Sequence, residues 1–139
     1  MADAACVSPL LDEGSMIMIR LLSIASLCAF LAAPVLAEGD VKSGKKLFKK
    51  CKACHTVKEG KNKAGPSLYK IVDAPIGANA DFKYSKALTG TDQVWDVETL
   101  TAFLTKPKEA FPGNKMSFPG LKKQSDIDDL IAYLIDESQ

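Results

Sequence analysis

The chain has 139 residues, which suits one domain and leaves little room for two. Charged residues make up 25% and hydrophobic ones 47%, which excludes both a disordered chain and a polytopic membrane protein. A formal net charge of +1 gives no overall argument for nucleic acid. The average hides a sharp division near residue 37. Residues 1–15 carry Asp3, Asp12 and Glu13 and no basic residue. A secretory signal normally opens on positive charge. The expected biological start is therefore Met16 or Met18, and residues 1–15 are a start-site artefact or an extension without function.

From Arg20 an apolar run of 11 residues, Leu21 to Leu31, leads to a helix-breaking Pro34 and then to Val35-Leu36-Ala37. A positive start, an apolar centre and small residues at the −3 and −1 positions make residues 16–37 a secretory signal cleaved after Ala37. The run is short of the about 20 residues that a membrane-spanning helix needs. Leu27 is too large to precede a lipidated Cys28. The alternative to cleavage is an uncleaved anchor that holds the protein on the periplasmic side of the membrane. The remainder, residues 38–139, numbers 102 and holds 17 Lys, no Arg and 14 acidic residues, a net of +3. It has two Cys, one His and one Met.

A first helix is expected from an Asp40 N-cap through Val41, Gly44, Leu47 and Phe48 up to Cys51. Gly44 inside it costs about 1 kcal/mol against Ala, which a close crossing by the C-terminal helix near Tyr133 would explain. The helix runs into Cys51-Lys52-Ala53-Cys54-His55, the C-x-x-C-H attachment signature of c-type haem. Two thiols that add to the two vinyl groups of one haem must project from a single turn, and the adjacent imidazole then reaches the iron from the proximal side. A thioredoxin-like motif would need a neighbouring parallel sheet, for which no buried-strand run exists. A zinc site would need further Cys or His ligands, and residues 38–139 have none left.

Residues 80–89 are expected to form a short helix, and residues 96–105 another that Pro107 stops. The loop from Phe111 to Gly120 is rich in Pro and Gly and so is not helical. It contains Met116, 61 residues after His55. A lone Met is usually core filler. Here it sits in a stiff loop, and an electron-carrying haem needs a soft distal ligand, so Met116 is expected to bind the iron; Met/His ligation raises the potential. Ser125 is expected to cap a C-terminal helix, with Asp128 at its N3 position and Ile127, Leu130, Ile131 and Leu134 on one face. The expected fold is all-α, three to five helices wrapped around one covalently attached haem.

Over residues 38–137 the sequence resembles the short class I c-type cytochromes of the soluble bacterial and mitochondrial type. The likeness rests on Gly44 and Phe48, the C-x-x-C-H run, Gly65-Pro66-Ser67-Leu68, Phe82-Lys83-Tyr84-Ser85, Trp95, Pro112 to Phe118, and Asp129 to Leu134. It implies haem c held by Cys51 and Cys54, with His55 and Met116 as axial ligands. It implies that the Pro66 carbonyl accepts from His55 Nδ1–H and fixes the tautomer. Tyr84, Ser85 and Trp95 would donate to haem propionates, charges entering an otherwise apolar pocket, and Phe118 would cover the haem beside Met116.

The sequence departs from this family at three places. Lys70 stands where Gly is usual, and Asp73-Ala74 where Gly-Arg is usual, which removes a positive charge from the propionates. Phe103 stands where many members carry a Tyr whose hydroxyl reaches the Met sulfur.

The implied function is one-electron transfer, with no substrate bond made or broken, between a quinol-oxidising complex (a quinol–cytochrome c reductase) and a terminal oxidase, photosynthetic reaction centre or periplasmic reductase. A peroxidase-like enzyme would want a distal His or Arg, and neither remains. Nine lysines and one acid lie between Lys42 and Lys63, against five acids and no base from Ser125 onward. Lys50, Lys52, Lys115, Lys122 and Lys123 are expected to flank an exposed haem edge that docks a monomer on acidic partners.

Overall fold

The structure is a computed structural model that describes residues 39–139; the expected 1–15 extension and 16–37 signal lie outside the described residues. Helix α1, Val41–Leu47, begins where expected. Asp40 stays extended and its carboxylate accepts the Ser43 N–H at 2.6 Å, satisfying one of the free donors of the first turn. The helix tightens into a 3₁₀ turn, Phe48–Lys50, and ends at Cys51.

Helix α2, Lys86–Thr89, is a single turn, shorter than the 80–89 span expected. The reason is local. Asn79 Oδ1 accepts the Asp81 N–H at 3.1 Å and Asn79 O accepts the Phe82 N–H at 3.1 Å. That side-chain turn takes backbone groups a helix would have used. Helix α3, Val97–Thr105, is capped by Asp96, which accepts the Thr99 N–H at 2.7 Å. Its Leu100, Phe103 and Leu104 are buried at helical spacing. Pro107 does end α3, and it also opens one further turn, α4, Pro107–Ala110, as its first residue. A proline lacks only an N–H that the first turn leaves free anyway.

Helix α5, Gln124–Asp136, corrects the expected cap. Its N-cap is Lys123, and Ser125 is already inside the first turn. Asp128 accepts from Gln124 Nε2 at 2.8 Å, an i,i+4 pair that replaces the capping box. The apolar face is as expected: Ile127, Leu130, Ile131 and Leu134 are buried, and Tyr133 with them. Burial first, then Glu137, pushes the Tyr133 phenol up to about 12, so it stays neutral.

Helices α1 and α5 cross at glycine distance. A Cβ on Gly44 would lie 1.9 Å from the Asp129 carbonyl oxygen and 2.7 Å from Tyr133 Cβ. Asp129 Oδ1 also accepts the Asp40 N–H at 2.7 Å, and the Phe48 and Tyr133 rings pack 5.3 Å apart. A second aromatic cluster joins Trp95 to Phe103 at 4.9 Å and to Phe111 at 5.6 Å. The fold is all-α, and one isolated antiparallel bridge, Pro75 with Val94, holds the long connection between α1 and α3.

Two residues of that connection, Lys70 (φ 50°) and Asp73 (φ 61°), are in the left-handed region. These are the places where the family usually has Gly, and the backbone explains the preference. Lys pays more there than Asp, whose side chain tolerates αL. Lys70→Gly should raise stability by about 0.5 kcal/mol, the αL penalty relieved less the entropy that Gly gives the unfolded chain. Lys70→Val should lower it by about 1–2 kcal/mol. Denaturant midpoints at constant slope check both signs; two neutral variants would mean the turn relaxes freely.

Candidate haem-attachment site

The attachment segment is built almost wholly from its own backbone. Phe48 O accepts from the N–H groups of Cys51 and Lys52 at 2.9 and 3.0 Å. Cys51 O accepts from Cys54 and His55 at 3.0 and 2.8 Å. Both thiols are free, Cys51 half-buried and Cys54 exposed. Burial pushes the Cys51 thiol up, and Lys50 beside it pulls the other way. Lys63 Nζ donates to Lys52 O at 2.7 Å, which closes the following loop back onto the motif.

His55 Nδ1 lies 2.8 Å from Pro66 O. A carbonyl only accepts, so Nδ1 carries the proton and the Nε2 lone pair is left for a metal. Burial holds the imidazole pKa below its ordinary value, against the opposing effect of the Pro66 bond. The ring is neutral at neutral pH, the form that ligates iron.

Gly65, buried, lies flat against that ring: a Cβ there would lie 2.4 Å from His55 Cε1 and 2.8 Å from each ring nitrogen. Its N–H donates to Cys54 O at 2.8 Å and its carbonyl accepts from Lys63 at 2.9 Å, so the backbone has no room to retreat. Gly65 was legible only as part of the Gly65-Pro66-Ser67-Leu68 run on which the family resemblance rests. Of the side chains that fold this loop, Ser67 was read only within the same run and Asn62 carried no sequence signal. Asn62 Oδ1 accepts from Ser67 N–H at 2.8 Å and Asn79 Nδ2 at 3.0 Å, and Ser67 Oγ donates to Lys58 O at 2.6 Å.

The remaining residues of interest come from later in the chain. Tyr84 is half-buried, edge-on to Phe82 at 5.0 Å, and lines a cavity of about 320 Å³ with Ser67, Tyr69, Ala74 and Asn79. Burial pushes its phenol pKa up. Ser85 is buried, and its Oγ is the one buried side-chain oxygen or nitrogen without a hydrogen-bond partner among the described residues. Trp95 is buried in the second aromatic cluster. Cys51, Met116 and Phe118 are half-buried and pack against the same core that contains Trp95, Phe103 and Phe111.

These residues fit a haem. Two thiols stand on one turn, a neutral imidazole has its outer nitrogen free and its inner one tied, and a glycine stands where any side chain would strike the ring. The orphaned Ser85 hydroxyl is a donor waiting for an acceptor that the described residues do not provide.

A helical fold with this C-x-x-C-H turn is that of a class I c-type cytochrome. The cytochrome c family model matches residues 41–136, and the chain belongs to that family, with haem c attached through Cys51 and Cys54. It is 46% identical over 102 residues to cytochrome c2 of Agrobacterium tumefaciens (strain II Chrys), an alignment covering 70% of this chain and 92% of that protein. It is 43% identical to a cytochrome c homolog of Rickettsia felis (strain ATCC VR-1525 / URRWXCal2), with 72% of this chain covered but only 58% of the relative. Among solved structures it is similar to cytochrome cH from Methylobacterium extorquens, at 42% identity and a TM-score of 0.67, covering 70% of this chain and 99% of that one. The family is one of electron carriers. Among the described residues no helix is long and apolar enough to cross a membrane.

Proposed function

We propose that this protein shuttles single electrons between a quinol-oxidising complex and a terminal acceptor, with His55 and Met116 as the axial ligands of its haem. The observation that carries the reading is the His55 Nδ1–Pro66 O contact of 2.8 Å. It fixes the tautomer that ligates and strengthens the imidazole as a donor. When bound, the haem supplies reversible one-electron chemistry at iron. The chain's own residues do the rest. Gly65 and Pro66 hold the proximal ring in one orientation. Met116 would offer a thioether from a loop that is half out of water, and Phe118, two residues on and also half-buried, would cover it. Ser85, with Tyr84 and Trp95, would supply donors to the propionates, a role that matters more because Ala74 stands where the family has Arg. No substrate bond would be made or broken; what is handed on is one electron.

Met116→Ala tests the ligation. The near-infrared sulfur-to-iron charge-transfer band of the ferric protein should vanish, and the potential should fall by more than about 0.1 V, within the roughly 0.8 V that axial ligands span. A wild type without that band would sink the assignment.

The same proposal includes where the protein works. Removal of a 16–37 signal would leave residues 38–139 as the working domain on the periplasmic side. Lys50, Lys52, Lys115, Lys122 and Lys123, all exposed, would turn a monomer's haem edge toward acidic docking surfaces on membrane redox complexes. Electron transfer to the acceptor should then slow about tenfold or more as salt screens the steering, the Debye length being about 10 Å at 0.1 M. Lys→Glu changes near the edge should slow it more than changes at Lys83 or Lys86. A rate indifferent to salt would leave these lysines as ordinary surface.

A further inference from the structure

We infer that Asn114 is the positioning residue of the Met116 loop: its side chain fixes the backbone that carries the methionine and so sets how readily the sulfur leaves the iron. This rests on Met116 as axial ligand. Asn114 is 3% exposed inside a loop whose neighbours Pro112, Gly113 and Lys115 are exposed. Buried amides are uncommon unless fully paired, and this one is. Its Nδ2 donates to Pro107 O at 2.7 Å and to Phe111 O at 2.8 Å, and its Oδ1 accepts the Met116 N–H at 3.0 Å. Its backbone N–H bonds Phe111 O at 3.1 Å, and its own carbonyl accepts from Lys108 Nζ at 2.5 Å.

The surroundings demand an amide. Two carbonyls need two donors and one N–H needs an acceptor. A carboxylate would offer no donor, and a hydroxyl only one. The anchors are stiff as well: Pro107 is fully buried with a fixed φ, and Phe111 is locked into the Trp95–Phe103 cluster. Little else restrains the segment. Among the described residues, the next backbone tie after Met116 N–H is Leu121 N–H to Leu104 O at 2.8 Å. The N–H groups of Lys115 and Ser117, on either side of the methionine, have no partner among the described residues. Lys108 also holds the loop, at the Asn114 carbonyl, but among the described residues the side chain that bonds the backbone of Met116 itself is Asn114.

Imidazole binding to the ferric holoprotein measures loop release, because added imidazole takes the iron only when the methionine leaves. Asn114→Ala and Asn114→Asp should each bind imidazole at least about tenfold more tightly than wild type, since each lost hydrogen bond is worth about fivefold in an opening equilibrium. Both should weaken the near-infrared band and lower the potential, and Asn114→Thr, which keeps one donor and one acceptor, should fall between them and wild type. Ile127→Val, a change in α5 remote in sequence from the loop, should lower stability and leave imidazole affinity within twofold. A wild type without the band defeats the parent reading and this one with it. A wild type with the band, beside an Asn114→Ala that matches its imidazole affinity and potential, overturns only the role of Asn114. Should the variants fail to fold, amide exchange in the wild-type reduced protein decides: the Met116 N–H should exchange at least about tenfold more slowly than those of Lys115 and Ser117, and equal rates would overturn the inference.

Discussion

Gly65→Ala should cost about 2–4 kcal/mol of stability and produce a high-spin ferric population at neutral pH. The added methyl would meet the His55 ring at 2.4 Å, and both hydrogen bonds of the Gly65 backbone hold it there. Overpacking of this kind costs about 1–3 kcal/mol, and pushing the ring off Pro66 forfeits about 1 kcal/mol more of hydrogen bonding. With His55 as the proposed axial ligand, the displaced ring would no longer present its Nε2 lone pair correctly, hence the spin change. Since Gly65 has no positive φ to preserve, the effect is one of space alone. A chemical denaturation curve and an absorption spectrum are enough to check it. An alanine variant that keeps the wild-type midpoint and a low-spin spectrum would mean the ring can shift without loss.

The second large effect should appear at Gly44, and with a sign opposite to helix propensity. Alanine there raises intrinsic helix stability by about 1 kcal/mol. It should nonetheless lower the stability of the protein by up to about 2 kcal/mol net, because its Cβ would lie 1.9 Å from the Asp129 carbonyl oxygen and overpacking costs about 1–3 kcal/mol. The partner atom is backbone inside α5, so no side-chain rotation relieves the contact. Gly44→Val should be worse. Lys45→Ala, on the exposed side of the same helix, should change the midpoint by less than about 0.5 kcal/mol; its contact with Glu137 is a 3.9 Å surface pair. A stabilised Gly44→Ala would show that α1 and α5 can separate at no cost.

What could be foreseen from sequence, and what could not, divides by the range of the interactions. The Asp40 cap, the buried face of α5 and the C-x-x-C-H turn each depend on residues within one or two helical turns, and periodicity and spacing expose such features. Gly44 was readable because a glycine inside a helix is anomalous and invites a packing reason. The start of α5 was misplaced because Lys123 caps it without a side-chain bond, so Ser125 was the better-looking residue and the wrong one. The turn at 107–110 was hidden by a proline that ends one helix and begins the next. Asn114 and Asn62 could not be found in this way, because their partners are, apart from the Asn79 amide, backbone carbonyls and N–H groups that any sequence would supply. The left-handed φ of Lys70 and Asp73 was invisible for a different reason: Lys argues against it and Asp merely tolerates it, and only the departure from the family's glycine pointed there.

The turn from Phe48 to His55 has a consequence for how the protein is made. Its four hydrogen bonds all span three or four residues. Such contacts close quickly and need no help from the rest of the chain. The thiols can therefore be presented, and the thioether bonds formed, on a polypeptide that is otherwise unfolded. By contrast, the proximal lock at Pro66, the unsatisfied hydroxyl of Ser85 and the methionine loop all require distant segments to arrive. With the proposed ligation, maturation would have a natural order, with covalent capture first and completion of the axial ligation second. A tethered cofactor then works as an internal ligand: it cannot dissociate, its effective concentration does not fall on dilution, and every contact it makes in the native state favours folding.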